Sequence, residues 1–312
     1  MIQYKIEKQM RWKENMADIK LFSINNIIKE IPSGNVTLER ELQIIIEKNM
    51  YTFFGVNFLA SEYSTTDGGR MDSIGIDENY CPVIFEYKRS MNENVINQGL
   101  FYLNWLLDHK DSFKLLVLEK FDKNIATQID WTMPRVICIA GDFNKYDESA
   151  IKQMNRNISL IRYKKFGNDL LMFEMLDQNV VKQIEEITDS KSKTRADKTF
   201  EEKLSSADKK IQSLYEEIKN YILSLGDDVS ETKLKLYTAF KKIKNVVCVE
   251  VQKSKITLTL KLDVISVKFE DGFIRDVTNI GHWGTGNIEI EIKNEEDLDK
   301  AKPYINRAYQ EN

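Results

Sequence analysis

Histidine is nearly missing from this 312-residue chain, with His109 and His282 the two present. That shortage leaves almost no room for a Ser-His-Asp triad, a Cys-His pair or a multi-histidine metal centre. Cysteine is as scarce: Cys81, Cys138 and Cys248 lie far apart in strand-like contexts and fit no zinc spacing. They read as buried free thiols in a reducing compartment. No run approaches the ~18 apolar residues of a membrane helix, so no membrane role is expected. The opening stretch Met1–Lys8 lacks the apolar core of a signal peptide, and a cytoplasmic protein is the expectation. A formal charge of −4 argues against a generally basic nucleic-acid coat, though a local basic groove is compatible with it. Hydrolytic chemistry in this chain has to come from carboxylates and lysines.

What is present is ordinary globular material, 42% hydrophobic and 30% charged, enough for about two domains of ~100–200 residues. Residues 1–36 are mixed and polar around Leu21-Phe22-Ser23-Ile24 and read as a strand or two. A helical pattern runs from Thr37, its expected N-cap, to Glu47. Strands follow near Phe58-Leu59, over Arg70–Ile76 after the Gly68-Gly69 break, and over Pro82–Lys88 after turn residues Asp77-Glu78-Asn79. Ser90 and Glu93 have the spacing of a capping box for a helix from about Asn92 to Leu107. Further strands are expected at Lys114–Leu118, Arg135–Ala140, Ile158–Tyr163 and Leu170–Leu176, with a helix around Asp147–Met154. The alternation implies an α/β domain on a mixed central sheet flanked by helices.

Asp189–Lys198 holds no large apolar residue and reads as a linker, dividing a domain over 1–188 from a C-terminal α+β domain over 199–312. In the second part Ile211, Leu214, Tyr215, Ile218 and Ile222 recur at helical spacing. Val246–Val251 with Ile256–Leu262 reads as a hairpin, and Ile288–Ile292 as a strand. Asn294 is the expected cap of a last helix with acidic residues in its first turn.

Chemistry concentrates in Asp72 … Glu86-x-Lys88 … Gln98-x-x-x-Tyr102. Glu-x-Lys alone recurs in this charged chain, as in Glu217-Ile218-Lys219, so context carries the weight. Strand alternation puts Glu86 and Lys88 on one face, and Val83, Phe85 and Tyr87 on the other. Charges closing an apolar strand are costly unless paired or bound to a metal. Asp72, on the preceding strand, can meet Glu86 across the hairpin. Mg²⁺ or Mn²⁺ takes oxygen ligands of this kind, with the Tyr87 carbonyl an optional third. Lys88 would orient a water and offset developing charge. Gln98 and Tyr102, four apart, share a helical face that can lean toward the same site. The bland alternative is a core helix built on Leu100, Phe101, Leu103, Trp105 and Leu106. Arg70 and Arg89 flank the acids as candidate phosphate contacts, or as ordinary surface pairs.

These residues resemble the PD-(D/E)XK nuclease superfamily, in the RecB-like and NucS-like branches that carry a Gln-x-x-x-Tyr helix. The resemblance covers roughly residues 37–118. It implies a restriction-endonuclease-like core, metal ligation by Asp72 and Glu86, and catalytic roles for Lys88, Gln98 and Tyr102. It also implies an acid on the first core helix, matched by Glu39 with Glu41 as alternative. Met71 stands where the family name has proline. The whole chain resembles uncharacterised bacterial proteins joining such a domain to a C-terminal domain of unknown function, through Gly69–Asp72, Asn94–Leu100 and Asn279–Gly286. Members are sometimes labelled predicted transport proteins, which nothing in this sequence supports.

The implied function is a metal-dependent nuclease acting on nucleic acid, with DNA favoured. The competing reading is a non-catalytic module binding nucleic acid or protein, with the C-terminal domain serving a protein partner or a homodimer. Gly281–Gly286 reads as a structural turn, or as a loop presenting Trp283 for base stacking. Tyr237, Phe240, Lys241 and Lys242 read as a basic-aromatic binding face or as a half-buried strand or helix.

Overall fold

The computed structural model describes residues 19–24, 27–36, 38–88, 94–179, 198–282 and 284–312. Thr37, the Ser90/Glu93 capping box, Arg89, Trp283 and the linker up to residue 197 lie outside them. Near the start, β1 (Leu21–Ser23) and β2 (Lys29–Ile31) pair as a small antiparallel sheet.

The central sheet of the first domain follows the order β3-β8-β7-β6-β5-β4, with β9 also paired to β8. Its strands are β3 (Ser33–Gly34), β4 (Val56–Ser64), β5 (Arg70–Asp77), β6 (Pro82–Lys88), β7 (Arg135–Ala140), β8 (Asn157–Phe166) and β9 (Leu170–Asn179). β4, β5 and β6 form an antiparallel meander, whereas β6, β7 and β8 run parallel. Parallel strands need both faces covered, which explains the near-continuous apolar runs of β6 and β7. On one face Val83, Phe85 and Tyr87 pack with Ile137, Ile139 and Ile161 under α1 (Glu39–Lys48) and α2 (Met50–Phe54). On the other, Ile84, Val136, Cys138 and Leu160 pack under α3 (Val95–Asp108) and α4 (Lys110–Lys120). The domain is thus the expected mixed sheet flanked by helices.

One expected strand is overturned. Lys114–Leu118 lies inside α4, because its turn-spaced pair Phe113 and Val117 is what reaches the core. Leu115 and Leu118 stay exposed, so the unbroken run Leu115–Leu118 mimicked a strand without being buried as one. Short helices α5 (Lys123–Thr127) and α6 (Lys145–Ile151) complete this half, the latter with a capping box between Asn144 and Asp147.

The C-terminal domain is a six-stranded antiparallel sheet in the order β10-β11-β12-β13-β15-β14. The strands are β10 (Ser230–Lys233), β11 (Thr238–Lys241), β12 (Asn245–Val251), β13 (Ile256–Leu260), β14 (Ile274–Asp276) and β15 (Ile288–Ile292). One face packs under α7 (Phe200–Ser206), α8 (Lys209–Leu223) and α9 (Glu295–Glu311). Asn294 Oδ1 accepts from Asp297 N–H at 3.0 Å, capping α9 as its sequence anticipated. The other face meets the first domain: Leu234, Tyr237, Ala239 and Cys248 pack on Cys81 and Met133. Tyr237, Phe240 and Lys241 are all buried, so the basic-aromatic stretch is sheet and interface rather than an open binding face. The glycine stretch is likewise fastened down at Thr285, whose Oγ1 accepts from Asn245 Nδ2 at 2.6 Å.

The contact centres on the β5–β6 turn. Asp77 Oδ1 accepts from the N–H groups of Asn79 and Cys81, shaping a turn in which Tyr80 has a φ of 61°. The turn delivers Asn79 into the C-terminal domain. There its Oδ1 accepts from Tyr237 Oη at 2.9 Å and from Asn245 Nδ2 at 2.7 Å. Buried polar groups that lose a partner cost roughly 1–3 kcal/mol. Asn79→Ala is therefore expected to lower unfolding stability by about 2 kcal/mol, measured by urea titration. An unchanged midpoint would show that the fold does not depend on this turn.

Candidate active site

β5 and β6 pair with Ser73 opposite Phe85 and Ile74 opposite Ile84. The next rung would place Asp72 opposite Glu86, and there side chains replace the backbone ladder. Tyr87 N–H donates to Asp72 Oδ2 at 2.9 Å, and Asp72 N–H donates to Glu86 Oε1 at 3.3 Å. The Asp72 carbonyl accepts from Gln43 Nε2 of α1 at 2.8 Å. Backbone groups freed by the opened rung must find partners, and satisfying them fixes both carboxylates against each other.

Glu86 is 2% exposed. It lies beneath α3, whose Gly99 allows the approach: a Cβ there would stand 2.4 Å from Val136 Cγ1 and 3.7 Å from Glu86 Cγ. Burial, and then the neighbouring Asp72 charge, push the Glu86 carboxyl up to about 9. Asp72 is also raised, first by burial, while the Tyr87 N–H and the Lys88 charge pull it back. At neutral pH Glu86 is therefore protonated beside Asp72, the behaviour of like charges sharing a dry site.

An open cleft of about 500 Å³ fronts the pair, lined by Glu39, Arg40, Gln43, Glu62, Arg70, Asp72 and Tyr87. Lys88, at the end of β6, places Nζ 3.9 Å from Glu39 Oε2 of α1. Glu41 instead meets Lys165 Nζ at 3.1 Å, so of the two helix acids Glu39 is the one brought to the site. Asp72, Glu86, Lys88 and Glu39 thus converge. Gln98 and Tyr102 do not join them: Tyr102 Oη accepts from Arg70 N–H at 3.2 Å and fastens the start of β5. Gln98 is exposed and makes no side-chain hydrogen bond among the described residues. Arg70 Nε lies 2.7 Å from Glu62 Oε2 at the cleft rim.

Gln43, Arg40 and Glu62 join the site without belonging to the sequence pattern that points to it. Gln43 carries a legible signal, lying one helical turn after Glu39 and so on its face. Glu62 does not: a register shift between Phe58 and Ala60 sets its alignment with Asp72, and its φ of 53° is unusual for glutamate.

Among the described residues no three histidine, cysteine, aspartate or glutamate side chains form a ready metal cage. Mg²⁺ does not require one, since it commonly uses one or two carboxylates with waters and substrate oxygens. Asp72 in the cleft wall and the adjoining buried Glu86 offer oxygen donors of the type such an ion takes. Among the described residues no helix is long and apolar enough to cross a membrane.

Residues 196–312 match a family model described as a domain of unknown function, DUF5655. An uncharacterised protein of Haemophilus influenzae is 29% identical over 290 residues, spanning 90% of this chain and 96% of its own. Among solved structures, a repair endonuclease from Pyrococcus abyssi aligns at 17% identity and a TM-score of 0.28, over 41% of this chain and 49% of that one.

Because Glu86 holds its proton more tightly folded than unfolded, its contribution to stability is complete below the usual carboxylate range near 4.5 and is lost as pH rises toward about 9. The slope from one proton is at most about 1.4 kcal/mol per pH unit. Urea unfolding at pH 5, 7 and 9 should show Glu86→Gln losing less stability with rising pH than the wild type. Parallel profiles would contradict the buried-acid assignment.

Proposed function

We propose that this chain is a Mg²⁺- or Mn²⁺-dependent nuclease of the PD-(D/E)XK type that hydrolyses phosphodiester bonds in DNA. The observation that carries this reading is the opened β5–β6 rung, where Asp72 and the buried Glu86 adjoin, with Lys88 on the same strand and Glu39 within its reach. Asp72 and Glu86 are the residues that would hold the ion. When bound, a divalent ion supplies Lewis acidity toward the phosphate and its attacking water.

The protein's own groups do the rest. Glu86, once its carboxyl proton is released to solvent, would serve as an anionic ligand, and Asp72 keeps its orientation through the Tyr87 N–H. Lys88 Nζ orients the water and offsets charge growing on the phosphate oxygens, an effect worth most where water is excluded. Hydrolysis forms one bond from water oxygen to phosphorus and breaks one P–O ester bond; the attacking water releases one proton to solvent and the departing sugar oxygen takes one up. Glu39, beside Lys88, holds the ammonium toward the cleft.

One observation favours a non-cutting nucleic-acid-binding module instead: Glu86 is 2% exposed and forms no part of the cleft wall. The two readings separate in a cleavage assay on single- and double-stranded DNA with Mg²⁺, Mn²⁺ or EDTA. Cleavage is expected with metal, abolished by EDTA, and reduced about 10²–10⁴-fold by Asp72→Ala or Lys88→Ala. Cleavage that survives either substitution sinks the nuclease reading. DNA binding with neither cleavage nor Mn²⁺ uptake by calorimetry establishes the binding module.

A further inference from the structure

Glu62 stands out in the cleft. It lies within β4, two residues from its end, yet its φ is 53°, a left-handed conformation uncommon for a glutamate in a strand. The flanking pairs Ser61–Ser73 and Tyr63–Met71 align it with Asp72. The strained backbone sends its carboxylate to a single point on the rim. There Oε2 meets Arg70 Nε at 2.7 Å, and Oε1 lies 3.2 Å from both Arg40 Nη1 and Gln43 Nε2. One half-buried carboxylate therefore holds two guanidiniums, while the same glutamine amide ties this brace to the Asp72 carbonyl.

Both arginines remain largely in solvent, with side chains 55% and 64% exposed. Each guanidinium has five N–H donors in a planar fork that matches phosphate geometry. Arg40 commits Nη1 to Gln43 and Glu62, and Arg70 commits Nε to Glu62. An ordinary surface pair would need neither a left-handed glutamate nor a link to the Asp72 strand. The arrangement is a pre-ordered cationic fork in the wall of the cleft that Asp72 lines.

We propose that Arg40 and Arg70, braced by Glu62, form a two-guanidinium fork that grips a backbone phosphate of the nucleic-acid strand neighbouring the phosphodiester at Asp72 and Glu86. The inference rests on the nuclease reading for its ligand, but binding tests it apart from cleavage. Glu62 is a positioning residue: it neutralises part of the arginine charge, and in return fixes where the remaining donors point.

The test is fluorescence anisotropy of labelled single-stranded and duplex oligonucleotides in EDTA, over a series of salt concentrations, with full-length protein. Arg40→Gln/Arg70→Gln is expected to bind roughly tenfold or more weakly, and its slope of log affinity against log salt should fall by about 1 to 2. Lys209→Gln/Lys210→Gln, an equal charge change at exposed positions on α8, should leave both nearly unchanged. Equal losses in the two double variants would overturn the fork, as would wild-type affinity in the arginine variant. Glu62→Gln adds positive charge yet should weaken binding about three- to tenfold through loss of the brace, and tighter binding would overturn that role. Asp72→Asn should keep binding and lose cleavage. If it binds like a wild type that does not cut, the nuclease reading fails while the fork stands. A wild type that cuts, with an arginine variant that binds equally well, overturns the fork and leaves the nuclease reading intact. No nucleic-acid binding by the wild type overturns the fork outright.

Discussion

The site depends on a ladder of hydrogen bonds that gives way to side chains one rung beyond Ser73 and Phe85. A continued ladder would satisfy the strands with their own backbone and leave Asp72 and Glu86 free to turn apart. With the rung opened, the Tyr87 N–H holds Asp72, the Asp72 N–H holds Glu86, and Gln43 takes the remaining carbonyl. Two like charges that would repel in water are thereby kept adjacent. Together with burial, which contributes most, their proximity appears as raised proton affinity in Glu86. The same rung links α1 to the sheet through Gln43, beside a second tie in which Glu47 Oε1 accepts from Ser73 Oγ at 2.7 Å, so the helix carrying Glu39 and Arg40 is registered against the carboxylates.

The other end of this hairpin is equally constrained. Asn79 at the β5–β6 turn is held by Tyr237 and Asn245 of the C-terminal sheet, with Cys81 and Met133 packed into the same apolar contact. The two strands that present the carboxylates are therefore fixed at one end by the first domain's helix and at the other by the second domain.

How much of this was legible in the sequence follows from which forces are local. Strand alternation separated Glu86 and Lys88 from Phe85 and Tyr87, and the mixed sheet followed from the order of apolar runs. Asn294 was readable as a cap because its partner Asp297 lies three residues on. Lys114–Leu118 misled because four consecutive apolar residues suit a strand or a helix, and only the fold decides that Phe113 and Val117 face inward. Tyr102 kept its helical face but went to the Arg70 N–H, a choice set by where β5 begins. Glu62 and Arg40 were invisible because a register shift and a left-handed backbone join them. Neither leaves a mark in residue spacing.

Gly99 has a wider consequence than close packing. The side chain it lacks is what allows the backbone of α3 to lie against Val136 and over Glu86. That layer of helix is the medium in which the carboxyl titrates. A residue with no functional group of its own therefore governs how dry this acid is: lift the helix by one methyl group, and water reaches Glu86 and its proton affinity relaxes toward the ordinary carboxylate range. The protonation of this buried acid is tied to an atom that is not there.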